Sequence, residues 1–227
     1  MHEMRELDLQ DALDFYGLYY SPNNAILVVS GDVIPDEVRR LAEQYYGVIP
    51  ANPDLPARLR TQEPPQTAER RMTFRDPRVA QEYVSRSYLA QERDPGDQKT
   101  AAALTILAEI LGGGTTSYLV EKLQFDAPVA TYSGAFYNGQ TLDDTTFNLV
   151  VVPRPDVTLQ DAEDAMDAAI ASFMKDGVDA GHLERIKAQV RAEQIYSRDS
   201  ADSVANRYGS ALAIGLSVQD VQDWPDV

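Results

Sequence analysis

The chain has 227 residues, with 20 Lys and Arg against 36 Asp and Glu, a formal net charge of −16 and a sequence pI of about 4.4. That balance argues against nucleic acid, whose phosphates need clustered cations, and serves solubility instead. Cysteine is absent, which removes disulfides, thiolate metal sites and cysteine nucleophiles together, and no apolar run reaches the length that spans a bilayer.

The opening run Met1-His-Glu-Met-Arg-Glu has neither the basic nor the apolar region of a secretory signal. Leu9, Ala12, Leu13, Tyr16 and Tyr20 recur at helical spacing behind Asp8, a candidate N-cap. Ser21-Pro-Asn-Asn stops that helix, because proline removes a donor and asparagine accepts left-handed turns. Ala25 to Val29 then reads as a buried strand, and Pro35 opens a second helix running to Tyr46 with Gly47 as its stop. Pro50, Pro53, Pro56, Pro64 and Pro65 interrupt any periodicity over residues 48–67, and an extended, stiff linker and the domain boundary are expected at 51–67.

Beyond the linker, Glu69 to Arg75 and Gln81 to Ala90 alternate as strands. A helix carrying Ala103, Ile106, Leu107, Ile110 and Leu111 stops at Gly112-Gly-Gly, and Leu119, Val120 and Leu123 continue in a shorter one. Val129 to Tyr137 and Thr145 to Val152 form a hairpin around Asn138-Gly139. Thr158 opens a helix ending at Gly177, and Asp179 and Ser200 are N-caps for two more. The order of elements specifies an α+β fold, an antiparallel sheet with helices packed on one face.

Few residues offer chemistry. Gly112–Gly114 follows a helix and no Lys follows in a phosphate-loop arrangement, so helix stopping and close backbone packing outweigh a nucleotide site. His2 and His182 lack the partners that a zinc site requires. Asp161, Glu163, Asp164 and Asp167 fall on the polar side of one helix, where a solvated face is expected over acid–base work. Two histidines leave little scope for a Ser-His triad.

Tyr20-Ser-Pro-Asn-Asn-Ala-Ile-Leu-Val-Val-Ser-Gly-Asp32 and Leu107-Ala-Glu-Ile-Leu-Gly-Gly-Gly-Thr-Thr-Ser117 carry a resemblance. With Tyr46-Gly-Val-Ile-Pro50, Asp176-Gly-Val178 and the Leu183-Glu-Arg-Ile-Lys helix, in this order, the chain resembles the pitrilysin/insulinase (inverzincin) family of zinc metallopeptidases. The resemblance implies a half-domain like that of the mitochondrial processing peptidase. Residues 1–50 would be the last helix, strand and helix of a preceding half, and residues 68–227 most of the second, non-metal-binding half, short of its closing elements. H-x-x-E-H is absent from the sequence, so the family's zinc is expected elsewhere in the full-length protein or on its partner. The implied function is to help enclose extended peptide substrates while being inert alone; the alternative is a metal-free scaffold or processing-partner subunit. Expected partners are peptide, the metal-bearing half and a homologous subunit, and the expected compartment is the periplasm or cell envelope. Helper halves of the family carry an Arg and a Tyr seven apart; aligned on Ser117 and Leu119, those positions are Gln124 and Thr131, the candidate cleft residues. Residues 7–47 are also expected to fill the sheet edge left vacant in the second half, within the chain or exchanged into a second copy.

Overall fold

The computed structural model describes residues 3–57 and 64–227, so His2 and linker residues 58–63 lie outside the described residues. The chain divides into two units, residues 1–62 with 197–221 and residues 63–196 with 222–227.

The larger unit is built on three antiparallel strands, β1 (Val84–Ala90), β2 (Ala130–Tyr137) and β3 (Thr145–Pro153), in the order β1-β3-β2. Burial alternates strictly along β3, because successive side chains point to opposite faces. Phe147, Leu149 and Val151 turn inward against α3 (Lys99–Gly112), the short α4 (Tyr118–Val120) and α5 (Leu159–Asp176). Thr158 caps α5 by accepting from the Asp161 amide at 3.1 Å, and Gly177 ends it at φ +76°. Between those signals Ala162, Met166 and Ala169 recur at helical spacing and fill the core with Leu119 and Leu123.

Four strands were expected in this layer, and three form. Residues 69–75 form no strand and belong to no ladder, and β1 starts at Val84 rather than Gln81. Alternation specifies an extended backbone, but a strand exists only where a neighbour accepts its hydrogen bonds. The larger unit also contains α6 (Ala180–Tyr196), whose His182 amide donates to Asp179 Oδ1 at 2.6 Å; α7 (Ala201–Ala213), capped by Ser200, belongs to the smaller unit. A further short helix, α8 (Val218–Asp223), was not foreseen.

In the smaller unit, Asp8 caps α1 (Leu9–Tyr19) through a reciprocal box with Asp11, and Pro35 opens α2 (Pro35–Tyr45). The Pro-Asn-Asn turn has a physical task. Asn24 Nδ2 donates to the Tyr19 carbonyl at 2.8 Å, satisfying an orphan acceptor at the end of α1, while Asn23 exchanges two hydrogen bonds with the backbone of Asn52. Residues 25–30 carry no strand, so the expected strand Ala25–Val29 is not formed. Neither α1 nor α2 contains a buried residue; the buried cluster of this unit is Ala211, Leu216 and Val221, around α7. Among the described residues no helix is long and apolar enough to cross a membrane.

Candidate functional site

Both candidate cleft residues sit on local irregularities of the backbone. After α4 the helix widens into a π turn, Glu121–Asp126, closed by the Ala127 amide donating to the Lys122 carbonyl at 3.0 Å. That widening sends Leu123 into the core and lets Gln124 Nε2 donate to Ser133 Oγ on β2 at 3.0 Å. Thr131 lies at the bulge between Ala130 and Tyr132, where its hydroxyl accepts from Gln81 Nε2 at 3.3 Å and donates to the Val152 carbonyl at 3.3 Å. The two side chains therefore have separate partners. π turns and β-bulges recur beside functional sites because they re-aim side chains that regular geometry would bury.

The carboxylates of α5 divide. Asp161 and Asp164 lie on the solvated face as expected, but Glu163 is 3% exposed and belongs to the core. It sits four residues after Leu159 and three before Met166, on the apolar stripe. Arg86 of β1 donates to it from Nη2 at 2.7 Å and from Nε at 3.2 Å, and Arg71 approaches through both terminal nitrogens. Asp167 also receives the Arg86 fork. Hydrogen bonds from Arg71 and then Arg86 hold the Glu163 carboxyl below its ordinary range, against the opposing effect of burial. The cluster is an ionic tie from two extended segments to one helix, with no proton poised for transfer.

The other candidates resolve into structure as well. A Cβ on Gly112 would stand 1.9 Å from the Ala135 amide nitrogen and 2.6 Å from the Gly134 carbonyl carbon, so α3 meets the backbone of β2 directly there. That contact leaves no room for a phosphate cradle. His182 is half-buried rather than exposed. Among the described residues no three His, Cys, Asp or Glu side chains stand together to hold a metal ion. At the end of the sheet, burial, with the nearby Asp94 and Asp144 carboxylates, pushes the Glu92 carboxyl up.

The face of the sheet turned away from α3 and α5 follows from the register. β1 contributes Ser85, Ser87 and Leu89, opposite Val150, Asn148 and Thr146 of β3. β2 contributes Tyr132, Gly134 and Phe136, opposite Val152, Val150 and Asn148. Ser87 Oγ donates to Asn148 Oδ1 at 2.6 Å, and Asn148 Nδ2 donates to Thr146 Oγ1 at 2.9 Å, a hydroxyl–amide ladder across two strands. Tyr132 and Phe136 lean toward Gly134, whose added Cβ would meet the Tyr132 hydroxyl at 2.9 Å and Phe136 Cζ at 3.0 Å.

Comparison with known proteins places this geometry. The sequence profile described as the peptidase M16 inactive domain matches residues 6–190. The zinc protease PqqE of Helicobacter pylori is 26% identical over 227 residues, which is 99% of this chain and 50% of that protein. Among solved structures, a protease from Helicobacter pylori superposes with a TM-score of 0.88 at 24% identity, over 100% of this chain and 54% of the other. The peptidase M16 inactive domain from Pseudomonas fluorescens gives 0.73 at 17% identity, over 97% and 51%. The periplasmic protease PqqL from Escherichia coli gives 0.70 at 18% identity, over 97% of this chain and 25% of that one. The chain thus spans about half the length of the curated relative it matches.

Proposed function

Because the chain belongs to the peptidase M16 family, as an inactive half-domain of its zinc proteases, we propose that it is the non-metal-binding half of a zinc-dependent metalloendopeptidase and helps enclose extended peptide substrates. The observation that carries this reading is the match of residues 6–190 to the inactive domain, in a chain whose donors do not fit zinc. A catalytic zinc takes three protein ligands and keeps one position open. The chain has no cysteine, and among the described residues there is one histidine and no cluster of three donors. When present on the other half, the metal supplies Lewis-acid activation of water.

The work left to this half is shape. Its core holds the sheet rigid, Gly112 lets α3 lie close on β2, and the Glu163 tie fixes residue 71 and β1 to α5. Gln124 and Thr131 are assigned to the cleft as uncharged hydrogen-bonding groups in place of an Arg and a Tyr. Residues 1–50 are read as the last helix, strand and helix of the preceding half. In support, α1 and α2 contain no fully buried residue and residues 25–30 join no ladder. Exchange of residues 7–47 between two copies is a second route to pairing that run, and would register as a homodimer in light scattering. The periplasm or cell envelope is the proposed compartment, in keeping with the periplasmic PqqL.

Reconstitution tests the reading. The 227-residue chain alone is expected to bind no stoichiometric zinc and to cut no unfolded peptide. Mixed with the parent protein's H-x-x-E-H half, it is expected to restore zinc-dependent cleavage. Turnover by the chain alone defeats the proposal. A parent reading frame without H-x-x-E-H selects the scaffold or processing-partner alternative.

A further inference from the structure

The helix-free face of the sheet has a composition that the rest of the chain does not share. One residue in four of this protein is charged and the net charge is −16. Yet none of the positions that the register assigns to this face, on any of the three strands, is Asp, Glu, Lys or Arg. The solvated face of an antiparallel sheet ordinarily alternates polar and charged side chains outward. Here the outward side chains are Ser, Thr, Asn, Val, Leu, Tyr and Phe, with Gly134 among them. Tyr132 and Phe136 are each 46% exposed and Leu89 is 40% exposed, so apolar area faces out beside the hydroxyl–amide ladder. Depletion of charge with retention of aromatic residues marks the core of recognition surfaces, and Tyr, Ser, Gly and Asn together supply rigid area and adaptable hydrogen bonding.

Resting on the reading of this half-domain as a chamber wall, we propose that this face receives the substrate and selects uncharged, aromatic or aliphatic peptide segments. The charge pattern sets the preference. A charged side chain laid on this face loses hydration and meets no counter-charge, whereas Phe, Leu or Tyr side chains bury area against Tyr132, Phe136 and Val150. The Ser87–Asn148–Thr146 ladder both donates and accepts, so it meets peptide groups or neutral polar side chains without fixing one sequence. Gly134 keeps the centre of the face low between two rings that can pivot, since their distal atoms, not backbone, approach it.

The test is a titration of the 227-residue chain with fluorescein-labelled twelve-residue peptides. One is neutral with three Phe or Leu residues; two others carry Lys or Glu in their place. The neutral peptide is expected to bind at least about tenfold more tightly than either charged one. Tyr132→Ala with Phe136→Ala is expected to weaken it by about tenfold or more, while Phe125→Ala, on the π turn outside the sheet, leaves it unchanged. Where the double alanine variant loses its thermal transition, Ser87→Glu decides, since that side chain is exposed on β1. Equal binding of the three peptides, or binding indifferent to Tyr132, Phe136 and Ser87, overturns the inference and leaves the reconstitution result untouched. Failure of every peptide to bind overturns it too. Loss of the chamber-wall reading is seen separately, as failure to restore zinc-dependent cleavage.

Discussion

Glu163 is a carboxylate inside an apolar stripe, kept ionised by two arginines from distant parts of the chain. Glu163→Gln leaves Arg86 with Asp167 and leaves Arg71, whose side chain is 57% exposed, with Glu69 at 3.7 Å and water. The expected loss at pH 7 is therefore about 2 kcal/mol, below the usual cost of orphaning a fully buried charge. Because the folded-state pKa lies below the unfolded one, about 4.3, the contribution of Glu163 is complete above that value. It is lost as pH falls through the folded pKa, so urea midpoints should fall steeply in acid for the parent chain and less for the variant. Glu92 works in the opposite sense: its raised pKa favours the fold at low pH and that advantage fades as pH rises through it. A variant as acid-sensitive as the parent would remove Glu163 from this account. The spacing from Leu159 and Met166 puts Glu163 on the apolar side, but the partners lie 92 and 77 positions away, beyond what local periodicity can register.

Among the elements, those whose signals are local were legible in the sequence and those that need a distant partner were not. Asp8, Pro35, Thr158, Gly177, Asp179 and Ser200 bound helices because caps and stops act within one turn. Residues 25–29 and 69–75 read equally well as strands, yet neither joins a ladder, since alternation carries no information about the neighbour. Gln124 and Thr131 were singled out only through resemblance, and nothing local announces the π turn or the bulge on which they sit. Gly112 was assigned correctly to close packing, and its environment can be measured against that of Gly134. Gly112→Ala drives a Cβ into the β2 backbone, which cannot yield, and should cost about 3 kcal/mol. Gly134→Ala meets only the far ends of Tyr132 and Phe136 and should cost less than about 1 kcal/mol. Urea denaturation of the two variants checks the contrast; equal losses would mean that α3 and β2 can separate freely.

At the scale of the whole molecule, apolar surface is distributed unevenly. The sheet and its helices close a core, while α1, α2 and the residue that caps α2 carry Leu9, Leu13, Tyr16, Tyr45 and Tyr46 in the open. Leu9, Leu13 and Tyr16 recur along one side of α1, and an exposed apolar stripe is a candidate surface for a partner. Under the reading of residues 1–50 as the end of a preceding half, that partner is the zinc-bearing half itself. Leu13 is 54% exposed and Tyr16 60% exposed, so Leu13→Glu with Tyr16→Glu should move the stability of the isolated chain by no more than about 0.5 kcal/mol per site. The same pair should reduce binding of a hydrophobic dye. It should also raise the concentration of zinc-bearing half needed to recover peptidase activity, because two charges would then be buried without partners on assembly. Unchanged recovery would place the joint between the halves elsewhere. A large loss of stability in the isolated chain would mean instead that α1 packs within this polypeptide, and the exposed stripe would no longer identify a missing neighbour.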